Sequence, residues 1–166
     1  SALTSGRVTY ATTSGQLTDS ANLLYSGTDL TVYGITVGRG AGAVSTNTAV
    51  GASALLSNVS NTNSVAIGNA AGSQVQSVNA IAVGNQAGLN TQGSNSIAIG
   101  YQAGANAQKS ESIAIGNQAG LNTQGQNAIA IGTYAQRYGN GYGAIAVGSY
   151  AGETSQSNYS VAIGYN

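Results

Sequence analysis

A short apolar segment that ends in glycine recurs along this chain at a constant interval of 16 residues. In most copies an alanine follows three residues after that glycine, a second glycine four residues after it and a glutamine eight residues after it. A fixed period of this kind is typical of repeat proteins, in which each unit stacks on the next. The glycines that define the period are Gly68, Gly84, Gly100, Gly116, Gly132, Gly148 and Gly164.

The length of the repeat limits what one unit can be. Sixteen residues are too few for a helical hairpin repeat, which needs about 33 or more, but they suffice for two short strands and two turns. In the segment 96–100 the apolar residues alternate along the chain, and Ile and Val favour strands. We therefore predict an all-β fold, a parallel β-solenoid with 16-residue coils that stack about 4.8 Å apart.

The repeat pattern divides the chain into two predicted domains. Residues 35–166 form the predicted solenoid repeat domain, with looser copies of the repeat at 35–38 and 48–51. Residues 1–34 lack the repeat and contain strand-like segments at 7–10 and 30–33. We predict that they form a β-rich N-terminal cap or connector that covers the first coil, because an open coil would expose a sheet edge. A flexible linker is the alternative.

The two faces of the repeated strand differ in character. One face carries the alanines at 66, 82, 98, 114, 130, 146 and 162, and the other carries branched apolar side chains. If alanine faces inward, the branched side chains form a continuous outward stripe, and an exposed apolar patch of that kind marks an interface. If the stripe faces inward, a monomeric solenoid results. The candidate oligomer-interface residues are Val65, Ile67, Ile81, Val83, Ile97, Ile99, Ile113, Ile115, Ile129, Ile131, Ile145 and Val147.

Polar residues also recur in columns. Stacked coils place residues 16 apart above one another, so we predict that the glutamines at 76, 92, 108, 124 and 156 hydrogen-bond side chain to side chain, as stacked amides do in cross-β structures. A second column, at Asn63, Asn79, Asn95 and Asn127, precedes the strand. Asn tolerates left-handed turn geometry, which is the role we predict for this column.

Composition excludes several classes of function. Charged residues make up 5% of the chain and its formal net charge is zero, so four basic side chains cannot neutralise many phosphates and no nucleic-acid partner is expected. The chain has no His and no Cys, which removes the commonest proton shuttle and any thiolate nucleophile or ligand. We predict no enzyme activity, no catalytic residue, no metal site and no cofactor. No apolar run approaches the length of a membrane span, so membrane insertion is not expected.

Two motifs resemble binding sites without meeting their requirements. Gly-Arg-Gly-Ala-Gly at 38–42 is similar to a phosphate-binding loop, but that fingerprint needs a following helix and no helix pattern follows. We interpret it as a glycine-rich turn. An ice-binding threonine array is the second possibility, yet Thr91 and Thr123 share their column with Val75 and Ala107. Ice binding therefore ranks below the other functions considered.

Tyrosines concentrate near the end of the chain, where six of the ten lie within the last 33 residues. Exposed tyrosine often anchors recognition surfaces, so a receptor or glycan contact is one interpretation. The other is that the rings fill space where the repeat becomes irregular around Gln136. The candidate ligand-contact residues are Tyr134, Tyr138, Tyr142 and Tyr150.

The hexapeptides Asn-Ser-Val-Ala-Ile-Gly at 63–68 and Asn-Ser-Ile-Ala-Ile-Gly at 95–100 resemble the head repeats of YadA-type trimeric autotransporter adhesins. The resemblance covers about residues 35–166 and implies a left-handed β-roll, three chains of which form a trimeric head on bacterial surfaces. The family repeat is commonly shorter than the repeat found in this chain. The longer spacing and the leading segments 6–10 and 17–23 resemble tail-fibre-like proteins of phages and large viruses.

These observations favour a non-enzymatic structural and adhesive fibre module, a homotrimer that presents a multivalent surface to a cell-surface glycan or protein receptor. Its expected location is extracellular, on a virion fibre or a bacterial cell surface. The alternative is a self-assembling filament scaffold without a receptor, in which coils of successive molecules stack end to end. The two differ in the mass of the protein in solution, which is constant for the first and varies with concentration for the second.

Overall fold

The computed structural model describes residues 3–27 and 29–165, and within these ranges the chain forms strands, turns and bends without a helix. From residue 48 onward the strands have two or three residues each, as expected for coils with two straight segments. They are β1 (Arg7–Ala11), β2 (Leu17–Tyr25), β3 (Leu30–Val32), β4 (Ile35–Gly38), β5 (Thr48–Val50), β6 (Val65–Ile67), β7 (Val75–Gln76), β8 (Ile81–Val83), β9 (Thr91–Gln92), β10 (Ile97–Ile99), β11 (Ala107–Gln108), β12 (Ile113–Ile115), β13 (Thr123–Gln124), β14 (Ile129–Ile131), β15 (Tyr138–Asn140), β16 (Ile145–Val147), β17 (Thr154–Gln156) and β18 (Val161–Ile163).

Most of the described strands belong to one long sheet of 12 strands, in the order β1-β2-β3-β4-β5-β6-β8-β10-β12-β14-β16-β18. From β5 onward every pairing in this long sheet is parallel, and Ile97 for example pairs with Ile81 on one side and Ile113 on the other. The alternate strands form a four-stranded sheet, β13-β11-β9-β7, and the pair β15-β17. The predicted parallel β-solenoid with 16-residue spacing is confirmed.

Glycine ends each repeated strand because the coils approach too closely there for a side chain. Gly68, Gly84 and Gly100 have φ angles of 128°, 130° and 127°, a region that only glycine adopts readily. A Cβ atom added to Gly84 would lie 2.6 Å from the carbonyl oxygen of Gly100 in the next coil. The glycine column is therefore a requirement of coil stacking at this corner.

Alanine forms most of the interior. The alanines at the centre of the repeated strands, from Ala66 to Ala146, are completely buried, and so are those at 71, 87, 103, 119 and 135. A thin core of this kind suits coils whose two sheets lie close together, since interiors are packed without voids. Of the two orientations that the sequence left open, the structure has the one with alanine inward.

The glutamines of the repeat also lie inside, and the predicted ladder between them is wrong. Gln92 Nε2 donates to the carbonyl oxygens of Ile81, at 2.7 Å, and Ser96, at 3.4 Å, within its own coil. Gln76, Gln108 and Gln124 make the equivalent pairs of bonds. Because these amides point across the interior of their own coil, they bond to its backbone and not to the amide above.

Amide ladders exist instead on the outside of the solenoid. Gln102 Nε2 donates to Gln86 Oε1 and Gln118 Nε2 to Gln102 Oε1, both at 2.8 Å. Asn63 donates to Asn79 at 3.1 Å, and Asn79 to the asparagine at 95 at 3.0 Å. The asparagines at 63, 79, 95 and 127 have φ angles between 56° and 59°, so their predicted left-handed turn geometry is confirmed.

The N-terminal strands β1 to β4 form an antiparallel meander, which is the first part of the long sheet. The looser repeat copy predicted at Ile35–Gly38 is not a solenoid coil, because β4 runs antiparallel to β5. Residues 40–42 lie over the first coil, where Ala41 N donates to the carbonyl oxygen of Leu55 and Leu55 is completely buried. The domain boundary between residues 34 and 35 stays a prediction.

One ion pair links the first two strands. Arg7 Nη1 lies 3.3 Å from Asp19 Oδ1, and the backbone amide of Thr4 donates to the same carboxylate. The Thr4 amide first, and Arg7 after it, hold the pKa of Asp19 below its ordinary value. The lowered pKa keeps the carboxylate ionised, and so able to pair with Arg7, down to a lower pH than that of an isolated aspartate.

Candidate association surface

The two predicted interface rows lie on the outer face of the long sheet. Within each repeated strand the central alanine is buried, while the branched residues before and after it are half-buried or exposed. Parallel pairing aligns these residues, so that Ile81, Ile97 and Ile113 form one row and their partners two positions along form the second. We call these two rows, with the twelve predicted residues, the apolar stripe.

Exposure along the apolar stripe is substantial although each side chain packs on its stacked neighbours. Ile67, Ile99 and Ile131 are 41%, 38% and 37% exposed. The remaining predicted residues are half-buried. The sequence alone left open which face of the strand is outward. Because Ala98 and its equivalents are buried, the face that carries the branched side chains is the outward one.

The candidate tyrosines do not form a single site. Tyr134 and Tyr150 occupy the outer corner that carries glutamine in earlier coils, and their ring centroids lie 5.0 Å apart. The guanidinium carbon of Arg137 lies 4.6 Å from the ring centroid of Tyr134 and 4.9 Å from that of Tyr138. Tyr142 lies elsewhere, in edge contact with Tyr159 at 5.4 Å.

Sequence reasoning missed Arg137, which joins two of the four candidates. Arg137 also pairs with Glu153, with 3.7 Å between Nη1 and Oε1. Its position between Tyr134 and Tyr138 in the sequence was the available signal, since a cation near aromatic rings gains cation–π stabilisation. Tyr134, Arg137 and Tyr138 thus form a compact aromatic and cationic group, which we call the tyrosine group. Within it, Tyr138 is 41% exposed.

The glycine-rich segment at 38–42 has a packing role. A Cβ atom on Gly38 would overlap the carboxylate of Asp29, and one on Gly40 would lie 2.5 Å from Leu55 Cβ. Asp29 Oδ1 accepts a hydrogen bond from the Arg39 amide at 2.7 Å. These glycines let the connection pass closely over its neighbours.

The described residues contain no group of three or more side chains of the types that ligate metals. An open pocket lies at the last described coil, where Ala151, Gly152 and residues 161–165 line it. No helix in the described ranges is long and apolar enough to cross a membrane.

Comparison with known proteins gives one family. The chain matches the YadA head domain repeat, in two copies, over residues 56–71, 92–119 and 122–136. No curated protein and no solved structure matched the chain in the corresponding searches. The matched residues lie within the parallel coils and include β10, β12 and β14 of the apolar stripe. The matched part of the repeat region, residues 56–71, 92–119 and 122–136, is therefore similar to YadA head repeats.

Proposed function

We propose that this chain is a non-enzymatic adhesive fibre module that self-associates as a homotrimer through the apolar stripe. The observation that carries the proposal is the outward row of branched side chains on a sheet whose alanines fill the interior. The match to YadA head repeats supports the threefold stoichiometry and an extracellular, surface-exposed location. A virion fibre or a bacterial surface are the two settings proposed.

The spacing of the apolar stripe favours a second copy of the chain as its partner. Each coil contributes one residue to each row, so that neighbouring residues of a row lie about 4.8 Å apart. The rows extend over the strands from β6 to β16. A partner surface fits into such rows along their whole length only when it has the same spacing, and an identical chain has it by construction. Contacts that repeat in each coil then add along the interface.

Burial of the apolar stripe supplies the driving force. Complete burial of a branched aliphatic side chain is worth about 1.5–3 kcal/mol relative to exposure. The stripe residues are already partly covered, so each contributes only a fraction of that amount. Twelve such residues nevertheless form a continuous patch of the kind that monomeric proteins rarely leave exposed.

The cover over the first coil argues against an end-to-end filament. Residues 40–42 contact the coil of Leu55 through Ala41 N and through Gly42 N, which donates to the carbonyl oxygen of Asn58. This cover occupies the place where the coil of another molecule would stack. Lateral association through the sheet face meets no such obstacle.

Light scattering coupled to gel filtration tests the proposal. The wild-type protein is expected to show three times the chain mass, independent of concentration. The double variant Ile97→Asp with Ile99→Asp places two carboxylates in the apolar stripe and is expected to dissociate to the monomer.

The matched control is Val75→Asp with Thr91→Asp, which places two carboxylates on the exposed outer positions of β7 and β9. This control and Lys109→Ala are expected to keep the wild-type mass. A wild-type monomer, or an Ile97→Asp, Ile99→Asp protein of unchanged mass, contradicts the proposed association. A mass that rises steadily with concentration supports the filament instead.

A receptor contact by the tyrosine group is the second part of the proposal. The exposed ring of Tyr138, held beside Arg137, offers an apolar face next to a cation, and aromatic faces stack on sugars or on apolar protein surfaces. Three chains would present three copies of such a weak site, so that avidity exceeds the affinity of one.

A further inference from the structure

One row of the apolar stripe does not stop where the repeats begin. In the parallel part of the sheet, Val50 pairs with Ile67, which leads into the row that contains Ile99. Across the antiparallel pairings Val50 lies opposite Val37, and residues that lie opposite each other in a sheet share one face. Continued through the meander, the same row comprises Val37, Leu30 and Tyr25.

The meander has one apolar face and one mainly polar face. Four pairings place six apolar residues on the face that continues the stripe, namely Tyr25 with Leu30, Leu30 with Val37, Leu23 with Val32 and Val32 with Ile35. The opposite face contains Leu24 and otherwise small or polar residues. The apolar face consists of Leu23, Tyr25, Leu30, Val32, Ile35 and Val37, and the opposite face of Asn22, Leu24, Thr31, Thr36 and Gly38.

In a monomeric protein the apolar face of the meander would be expected to point toward the interior, and here it points outward. Gly38 pairs with Ala49, whose side chain points into the solenoid, so the mainly polar face is the one continuous with the interior side. The apolar face is outward. Tyr25, Ile35 and Val37 are 54%, 51% and 46% exposed.

We infer that the apolar face of the N-terminal meander is the first part of the self-association surface, covered by the same meander of a second copy of this chain. The inference rests on the proposed function, because it takes the partner of the apolar stripe to be an identical chain. The continuity of the row through Val37 and Val50 provides the reason. Copies aligned side by side, with their coils in register, bring meander against meander along the same line.

This arrangement explains why a meander with little core of its own would be ordered. Isolated antiparallel strands need a buried apolar face for stability, and the structure provides none within one chain for Leu30 and Val37, which are 36% and 46% exposed. In the assembly those residues are buried against their counterparts. The strands β2 to β4 are therefore expected to gain order on association.

The test compares two double variants on the same pair of strands. Leu30→Asp with Val37→Asp changes a directly opposed pair on the apolar face, and Thr31→Asp with Thr36→Asp changes the adjacent opposed pair on the other face. Both introduce two carboxylates at directly opposed positions of the same two strands. Oligomer mass over a dilution series and amide hydrogen exchange of residues 17–38 are measured for both full-length variants and for the wild type.

The apolar-face variant is expected to raise the concentration at half-dissociation at least tenfold and to lose amide protection in residues 17–38 at least tenfold. The Thr31→Asp, Thr36→Asp variant is expected to remain close to the wild type in both measurements. Protection of residues 65–163 shows that the solenoid of each variant is folded.

Equal effects of the two variants, or no effect of either on the dissociation of an oligomeric wild type, overturn the inference while leaving the stripe association intact. A wild type that is monomeric throughout the dilution series overturns the proposed association as well. Protection of residues 17–38 in the wild type should also fall on dilution to monomers, and unchanged protection contradicts the inference independently.

Discussion

At the scale of single residues, the corner that ends each strand of the long sheet depends on the absence of a side chain. Gly100 combines a φ angle of 127° with a distance of 2.5 Å between an added Cβ and the carbonyl oxygen of Gly116. Either condition alone is unfavourable for alanine, and both apply at this site. Gly164 is in the same column with a φ angle of 115°, but an added Cβ meets nothing within 4 Å.

Replacement of Gly100 by Ala is therefore expected to destabilise the fold by about 3 kcal/mol or more, since backbone strain costs about 1–3 kcal/mol and the overlap adds to it. Gly164→Ala carries only the backbone strain and is the matched control. Thermal and denaturant unfolding of both variants measures the difference. Equal losses at the two positions would show that the contact between coils contributes nothing.

At the scale of the coil, glycine and glutamine four residues apart act as a unit. Gln92 Oε1 lies 2.4 Å from the position of a Cβ on Gly88, so the glycine makes room for the buried amide. The coil that begins at Gly132 departs from this pattern, because Gln136 stands in the glycine column and Asn140 in the glutamine column. Gln136 is completely buried and donates to Gln156 Oε1 at 2.8 Å.

The two departures are expected to compensate each other. Gln136→Gly alone empties part of the interior and should cost about 2–4 kcal/mol. Asn140→Gln alone introduces the residue that the other coils carry at this position while Gln136 still stands in the glycine column, and overpacking of this kind should cost about 1–3 kcal/mol. The double variant restores the pattern of the other coils, so its loss should be smaller than that of Gln136→Gly. A double-mutant cycle from denaturant unfolding measures the coupling, and additive losses would refute it.

At the scale of the whole molecule, the apolar stripe and the tyrosine group belong to different surfaces. The stripe lies on the outer face of the long sheet, whereas Tyr134 and Tyr150 continue the corner column of Gln86, Gln102 and Gln118. Association through the stripe therefore does not use the residues of the tyrosine group. In the proposed trimer the rod aligns three such groups at one level.

The proposed trimer should bind a surface that carries its receptor more tightly than a single chain does, because it presents three copies of the tyrosine group. Tyr138→Ala is expected to lower binding to a panel of immobilised oligosaccharides without altering the oligomer mass, and Tyr101→Ala is the control, since Tyr101 is 46% exposed in another coil. The Ile97→Asp, Ile99→Asp monomer should bind about 100-fold or more weakly. If all four proteins bind equally, a contact between the tyrosine group and the oligosaccharides of this panel is excluded.

Several features could be predicted from sequence because they depend on the period and on local chemistry. Alternation around Ala98 predicted the strand, and the left-handed asparagines followed from their position before it. The direction of the amides could not be predicted, since the columns of Gln92 and Gln102 read alike and only the corner at which each lies decides whether it points inward. The antiparallel β4 was predicted as a repeat copy because Ile35–Gly38 has the same composition as the coils, although the two-residue connection Tyr33-Gly34 permits only an antiparallel pairing of β3 with β4.

The sequence by itself determined that the chain winds in 16-residue coils, because a constant interval of glycine and branched residues allows one stacking arrangement. Only the tertiary structure decided which face each strand presents outward and that the apolar row continues from Ile67 through Val50 and Val37 into the meander. The physical reason is that alternation along a strand defines two faces but does not determine which of them points inward. That choice depends on how closely the two sheets approach, and here the space between them admits alanine and leaves the branched side chains outside.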